Sequence, residues 1–236
     1  MAASLRRVPN SPKPWRISAP IPFRTWSTRI GISITPLATN GCMPRARGLS
    51  PKRTRASICP KSSASRTGTI NFLPLRQGGI PSEVFAAEHT LKLNGATIRL
   101  KRYTPAHTDS DISVTFGEAN VLHTGDTYWN GIYPFIDYST GGSIDGMIAA
   151  SDANLAATTN ETIVIPGHGG PVSNKSELQE FHDMLVTVRE NIAALKKKGK
   201  SKDEIVAAKP GAAFDAKWGG GPIDPGFFTR LVYEGV

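Results

Sequence analysis

Hydrophobic and polar positions fall into regular patterns only after about residue 76. Thr90-Leu-Lys-Leu alternates, Asn94-Gly95 interrupts, and Ala96-Thr-Ile-Arg-Leu-Lys alternates again. Asn-Gly between alternating runs predicts a hairpin, because a type I′ turn needs positive φ at both central residues. A second strand pair is predicted from Asp111-Ile-Ser-Val-Thr-Phe, a Gly117-Glu-Ala-Asn turn, and Asn120-Val-Leu-His-Thr. Ser143 is placed to cap a helix running to about Ala157, with Ile144, Met147, Ile148 and Leu155 on one face. Glu161-Thr-Ile-Val-Ile reads as a short buried strand stopped by Pro166-Gly167. Beyond Asn174 or Ser176, Leu178, Phe181, Leu185, Val188, Ile192 and Leu195 keep helical spacing, and Lys196-Lys-Lys-Gly199 closes that helix. A further helix is predicted over Lys202–Ala208, and Trp218, Phe227, Phe228 and Leu231 give the tail apolar area with which to dock.

Residues 1–75 show neither periodicity, and composition sharpens the division. Residues 1–82 hold fourteen Lys and Arg and no Asp or Glu, whereas residues 83–236 hold fourteen Lys and Arg against nineteen acids. Eleven of the eighteen prolines also precede residue 83. The chain thus divides into 1–76, which reads as disordered, and 77–236, which reads as folded. Prolines at 9, 12, 14, 20 and 22 exclude the amphipathic helix of a transit peptide. No run is long enough for a membrane-spanning helix. No apolar h-region follows the early arginines, so the expected compartment is the cytoplasm by default. Cys42 and Cys59 both lie in the irregular part and carry no redox argument.

Three loops, each following a strand, carry candidate chemistry: Pro105-Ala-His107-Thr-Asp-Ser-Asp111, His123-Thr-Gly-Asp126-Thr-Tyr and Ile163-Val-Ile-Pro-Gly-His168-Gly-Gly. Zinc takes imidazole nitrogens and carboxylate oxygens, and strand-end loops converge on common points. In these loops the chain resembles the metallo-β-lactamase superfamily, which has a P-x-H-T, a T-G-D and a P-G-H-G loop in this order. The resemblance implies that His107 ligates one zinc, His168 another, and Asp126 bridges them as the catalytic carboxylate. Asp111 and His123 would support these ligands from behind. Asp109 is a second candidate brace for the first loop, and His89 and His182 read as surface residues. Tyr128, Trp129, Tyr133 and Phe135 fit either a substrate wall or core packing.

The family's H-x-H-x-D-H motif, which supplies further ligands to both zinc ions, does not occur in this chain; no His precedes His89. The genetic code offers a reason. Residues 27–36, Ser-Thr-Arg-Ile-Gly-Ile-Ser-Ile-Thr-Pro, permit the codons TCA ACA CGC ATT GGC ATT TCG ATC ACA CC. Read from the third base, these give N-T-H-W-H-F-D-H-T. Only wobble bases are chosen freely. The expectation is that residues from before Trp26 to about Leu75 are translated out of frame, with frame returning near Arg76–Ile80.

The expected fold is therefore a four-layer αββα sandwich, incomplete because its N-terminal half is missing or disordered. The implied activity is hydrolysis of an ester, thioester, lactam or lactone by two zinc ions acting on a shared water, impaired here by the absent motif. A small molecule is the expected partner, with no membrane involved. The rival reading is a non-catalytic protein with a basic arm for nucleic acid on a degenerate metal-fold domain. The arm has the charge for phosphate contacts but lacks interleaved aromatics and any nucleic-acid motif.

Overall fold

The structure is a computed structural model and describes residues 84–236. The disorder and frame expectations for 1–76 fall outside the described residues. A five-stranded sheet is built from β1 (Glu88–Leu93), β2 (Ala96–Arg102), β3 (Ile112–Phe116), β4 (Val121–His123) and β6 (Ile163–Ile165), in that spatial order. The first four strands form an antiparallel meander, and β6 returns parallel to β4. Asn94 and Gly95 make the first turn with φ of 52° and 79°, as a type I′ hairpin requires. A two-residue parallel pair, β5 (Trp129–Asn130) with β7 (His168–Gly169), lies apart from this sheet. Sequence periodicity has no power over so short a pair.

The β4-to-β6 crossover carries α1 (Ile144–Ala156), capped by Ser143 Oγ, which accepts from Gly146 N. Asn174 caps α2 (Lys175–Lys197) by accepting from Glu177 N, and Lys196 and Lys197 lie in its last turn. α3 (Lys202–Ala207) opens with a reciprocal capping box between Ser201 and Glu204. Two helices of the tail, α4 (Ala212–Trp218) and α5 (Pro225–Glu234), go beyond the docking segment that its apolar residues predict. The start of α5 is nonetheless written in Asp224-Pro225, an N-cap followed by proline at the first helical position. The strand predicted from Glu161 begins at Ile163, after a turn in which Thr159 N donates to Thr162 Oγ1.

The register puts Thr90, Arg99, Thr115, Leu122 and Val164 in one row across the sheet and Leu91, Ile98, Phe116, Val121 and Ile163 in a row of opposite facing. Val164 belongs to the same buried core as Met147 of α1 and Phe181, Leu185 and Val188 of α2, so the helices cover its face. α5 packs on α2 and brings Phe228, Leu231 and Val232 into that core. Among the described residues no helix is long and apolar enough to cross a membrane.

Candidate metal centre

Three loops deliver the predicted residues to one end of the sheet. The His107 loop follows β2. Its turn is held by Asp111, whose Oδ2 accepts from Thr108 N at 2.7 Å. Asp137 N donates to His107 O and Ser143 N to Ala106 O, which locks the loop against the start of α1. Asp126 lies in a 3₁₀ turn, Gly125–Thr127, directly after β4. This turn is tied to α1 through a buried chain in which Asn154 Nδ2 donates to Thr127 Oγ1 and Thr127 Oγ1 to Thr124 O. His168 follows β6. The backbone of the His168 loop presses on the 3₁₀ turn so closely that a Cβ on Gly167 would stand 2.4 Å from Gly125 O.

The three side chains meet on the Asp126 carboxylate. His107 Nε2 is 3.6 Å from Oδ2, and His168 Nε2 is 3.3 Å from Oδ1. His107 is buried, and its Nδ1 lies 2.7 Å from Phe135 O, an acceptor only. Nδ1 therefore carries a proton and donates, and in the neutral ring this tautomer presents Nε2 as a lone pair. That Nε2 is buried without a hydrogen-bond partner. A buried acceptor of this kind costs free energy unless something occupies it, and a backbone carbonyl behind the ring is the usual support of a metal-binding imidazole. The separations agree with this. Charge-assisted N–H···O contacts run at about 2.7–2.9 Å. Two donors bound at about 2.0–2.1 Å to one tetrahedral zinc stand about 3.3 Å apart. The spacing thus suits two donors sharing an ion at each carboxylate oxygen. It supplies two protein donors per position, while catalytic zinc takes three and a water. Among the described residues no group of three or more His, Cys, Asp or Glu is placed to hold a single metal ion. The described residues alone do not complete a catalytic zinc site.

The supporting groups have distinct electrostatics. Loss of solvent pushes the Asp111 carboxyl up to about 6, against the pull of His107, while the negative Asp126 adds to the rise. His123 accepts from Gly125 N at Nδ1, 3.0 Å away, and so braces the Asp126 turn. Burial holds its pKa below the ordinary histidine value, with Asp126 opposing. Asp109 contributes its backbone carbonyl, which accepts from Arg102 Nη2, so the brace it offers is not a carboxylate one. His182 departs from the surface residue expected. It is mostly buried between α1 and α2, with Nε2 3.0 Å from Asp152 and Nδ1 3.0 Å from Asp183. Its partner on α1 could not be read from the spacing of α2. Of the four clustered aromatics, Tyr128, Trp129 and Tyr133 are core. Phe135 lies edge-on to His107, with ring centroids 5.9 Å apart.

The model of the metallo-beta-lactamase superfamily matches residues 47–181, more than half of the chain. The chain belongs to the metallo-beta-lactamase superfamily. No curated protein matches it. Among solved structures, a double mutant of the sec-alkyl sulfatase PisA1 shares 20% identity over 71% of this chain and 28% of its own, with a TM-score of 0.53. The stereoselective inverting sec-alkylsulfatase Pisa1 from Pseudomonas sp. shares 20% over 70% and 27%, with a TM-score of 0.51. A metallo-beta-lactamase from Pontibacter korlensis shares 18% over 46% and 50%, with a TM-score of 0.41. At these identities the sulfatases show the superfamily fold. The chain spans under a third of the sulfatases' length.

Proposed function

We propose that this chain carries the second half of a zinc-dependent hydrolase centre, with His107 and His168 as ligands to two zinc ions and Asp126 as the carboxylate between them. The observation that carries this is the buried, unpartnered Nε2 of His107 facing Asp126. Bound zinc would supply an acidified water near neutral pH. The chain's own residues hold the donors in place: Phe135 O fixes the His107 tautomer, and Asp111 and His123 brace the two loops. The substrate class is a small ester, thioester, lactam or lactone, to which the likeness to alkyl sulfatases adds sulfate esters.

In its present form the chain is an impaired member, because H-x-H-x-D-H is absent from its sequence. The segment from before Trp26 to about Leu75 is read here as an out-of-frame translation of the region that would encode the motif. The coding DNA tests this directly. Arg29 must end in C for the first His of the motif to exist in the offset frame, and any other base there ends the idea. The activity test sets the present chain beside a frame-restored version. Metal analysis of the present chain should find substoichiometric zinc, and hydrolysis of a lactam, thioester, lactone and sulfate-ester panel should be negligible. Restoration should recover both. Two tightly held zinc ions and turnover in the present chain would overturn the proposal.

A further inference from the structure

His107 and His168 face the same carboxylate but are steadied differently. His107 is closed off from solvent and its second nitrogen is hydrogen-bonded. The His168 side chain is 32% exposed, and among the described residues no hydrogen bond reaches its Nδ1. An imidazole in that position turns freely about its last torsion unless a neighbour restrains it. The neighbour is Trp129. The β5–β7 ladder pairs Trp129 with His168, and it forms only because residue 169 is glycine. That residue has φ of 90°, and a Cβ there would stand 2.1 Å from Asn130 O. The pairing lays the indole against the imidazole with ring centroids 4.1 Å apart and 35° between planes. Trp129 itself is immobilised: it is buried, and its Nε1 donates to Asp126 O at 2.9 Å.

We propose that Trp129 is a positioning residue, whose ring face aims His168 Nε2 at the Asp126 carboxylate and whose N–H fixes the backbone of Asp126. One indole thereby couples the orientations of two residues that come from different loops. Its significance for a metal rests on the reading of His168 and Asp126 as ligands. The orientation itself does not.

The experiment uses the full chain with three substitutions, Trp129→Leu, Trp129→Phe and His168→Ala. Two readouts are taken: the NMR shifts of the His168 ring protons without metal, and titration with Co²⁺ followed by its d–d absorption. A stacked indole displaces the His168 ring protons upfield. Trp129→Leu should abolish that displacement and weaken Co²⁺ binding about 10–100-fold, the usual cost of losing a supporting partner. Trp129→Phe retains a ring face and should keep most of the displacement and bind within about threefold of the parent. Should Trp129→Leu not fold, the phenylalanine variant and the parent's ring shifts still decide. A parent with unshifted His168 protons, or a phenylalanine variant as damaged as the leucine one, overturns the proposal. His168→Ala separates the two readings. If it leaves Co²⁺ binding unchanged, His168 is no ligand and the proposed function fails. If it abolishes binding while Trp129→Leu does nothing, only the positioning role fails.

Discussion

The two faces of the five-stranded sheet are built to different standards. On one, Leu122 and Val164 are buried, and Val164 merges with the core formed by α1 and α2. On the other, the row Leu91, Ile98, Phe116, Val121 and Ile163 is apolar throughout, yet Ile163 stays 46% exposed, and Leu93 on the same side 39%. Closure on this side is partial, since Leu100 and Val114 are buried. In a four-layer sandwich this second face meets another sheet. The difference teaches that residues 84–236 finish the β4–β6 end of one side, while Thr90 and Arg99 farther along it stay exposed, and close that end of the other side only in part. The His107, Asp126 and His168 loops sit at the end of the sheet, held to the finished side by Asn154 and the start of α1.

The largest effect should come from breaking the finished side. Val164 is fully buried in the core. Val164→Asp places an unpaired charge there at a cost on the order of 4–5 kcal/mol, comparable with the whole stability of many domains, about 5–15 kcal/mol. Circular dichroism should show no cooperative thermal transition. A variant that still melts cooperatively near the parent temperature would mean the helices do not close this face.

A smaller effect is expected from pH, where the acid before β3 and the histidine of β4 oppose one another. The His123 pKa is lowered by burial, so its neutral form is favoured in the fold. Its contribution is present above the unfolded value of about 6.5 and is lost as pH falls below it. Asp111 is pushed up to about 6, so burial of its charged form weakens the fold as pH rises from about 4 through 6. Asp111→Asn keeps an acceptor for Thr108 N and removes the ionisation. Urea unfolding should find this variant more stable than the parent at pH 8, and its stability should fall more steeply between pH 7 and 5. Equal stability at pH 8 would show that Asp111 is already compensated in its charged state.

Much of this fold is legible in the sequence because the relevant signals are local. The Asn94-Gly95 turn, the caps at Ser143 and Asn174 and the spacing from Leu178 to Ile192 each act within a few residues, and each has its element in the structure. The centre is half legible. Strand-end placement brings His107, Asp126 and His168 together, with the two imidazole nitrogens at 3.6 and 3.3 Å from the carboxylate. What steadies them is not local: Phe135 reaches back 28 residues to His107, Trp129 meets His168 through a two-residue ladder, and His182 finds Asp152 on another helix. No periodicity encodes such meetings. They depend on which loops the sheet brings to one end.

The smallest effect should come from the unfinished side. Ile163 begins β6, an outer strand of the sheet, and ends the apolar row. Its backbone N–H donates to Asn120 O, a bond that any residue but proline preserves. Threonine keeps the β-branch that suits a strand while exchanging a methyl-bearing arm for a hydroxyl. At 46% exposure that hydroxyl reaches water without needing a protein partner. Ile163→Thr should therefore move stability by no more than about 0.5 kcal/mol. It should also reduce self-association, because exposed apolar area promotes it. Urea unfolding and light scattering on the same samples check both. A loss above about 1.5 kcal/mol, the range of a buried isoleucine losing packing atoms, would mean that this face is as well closed as the helical one, and that the contrast between the two sides does not exist.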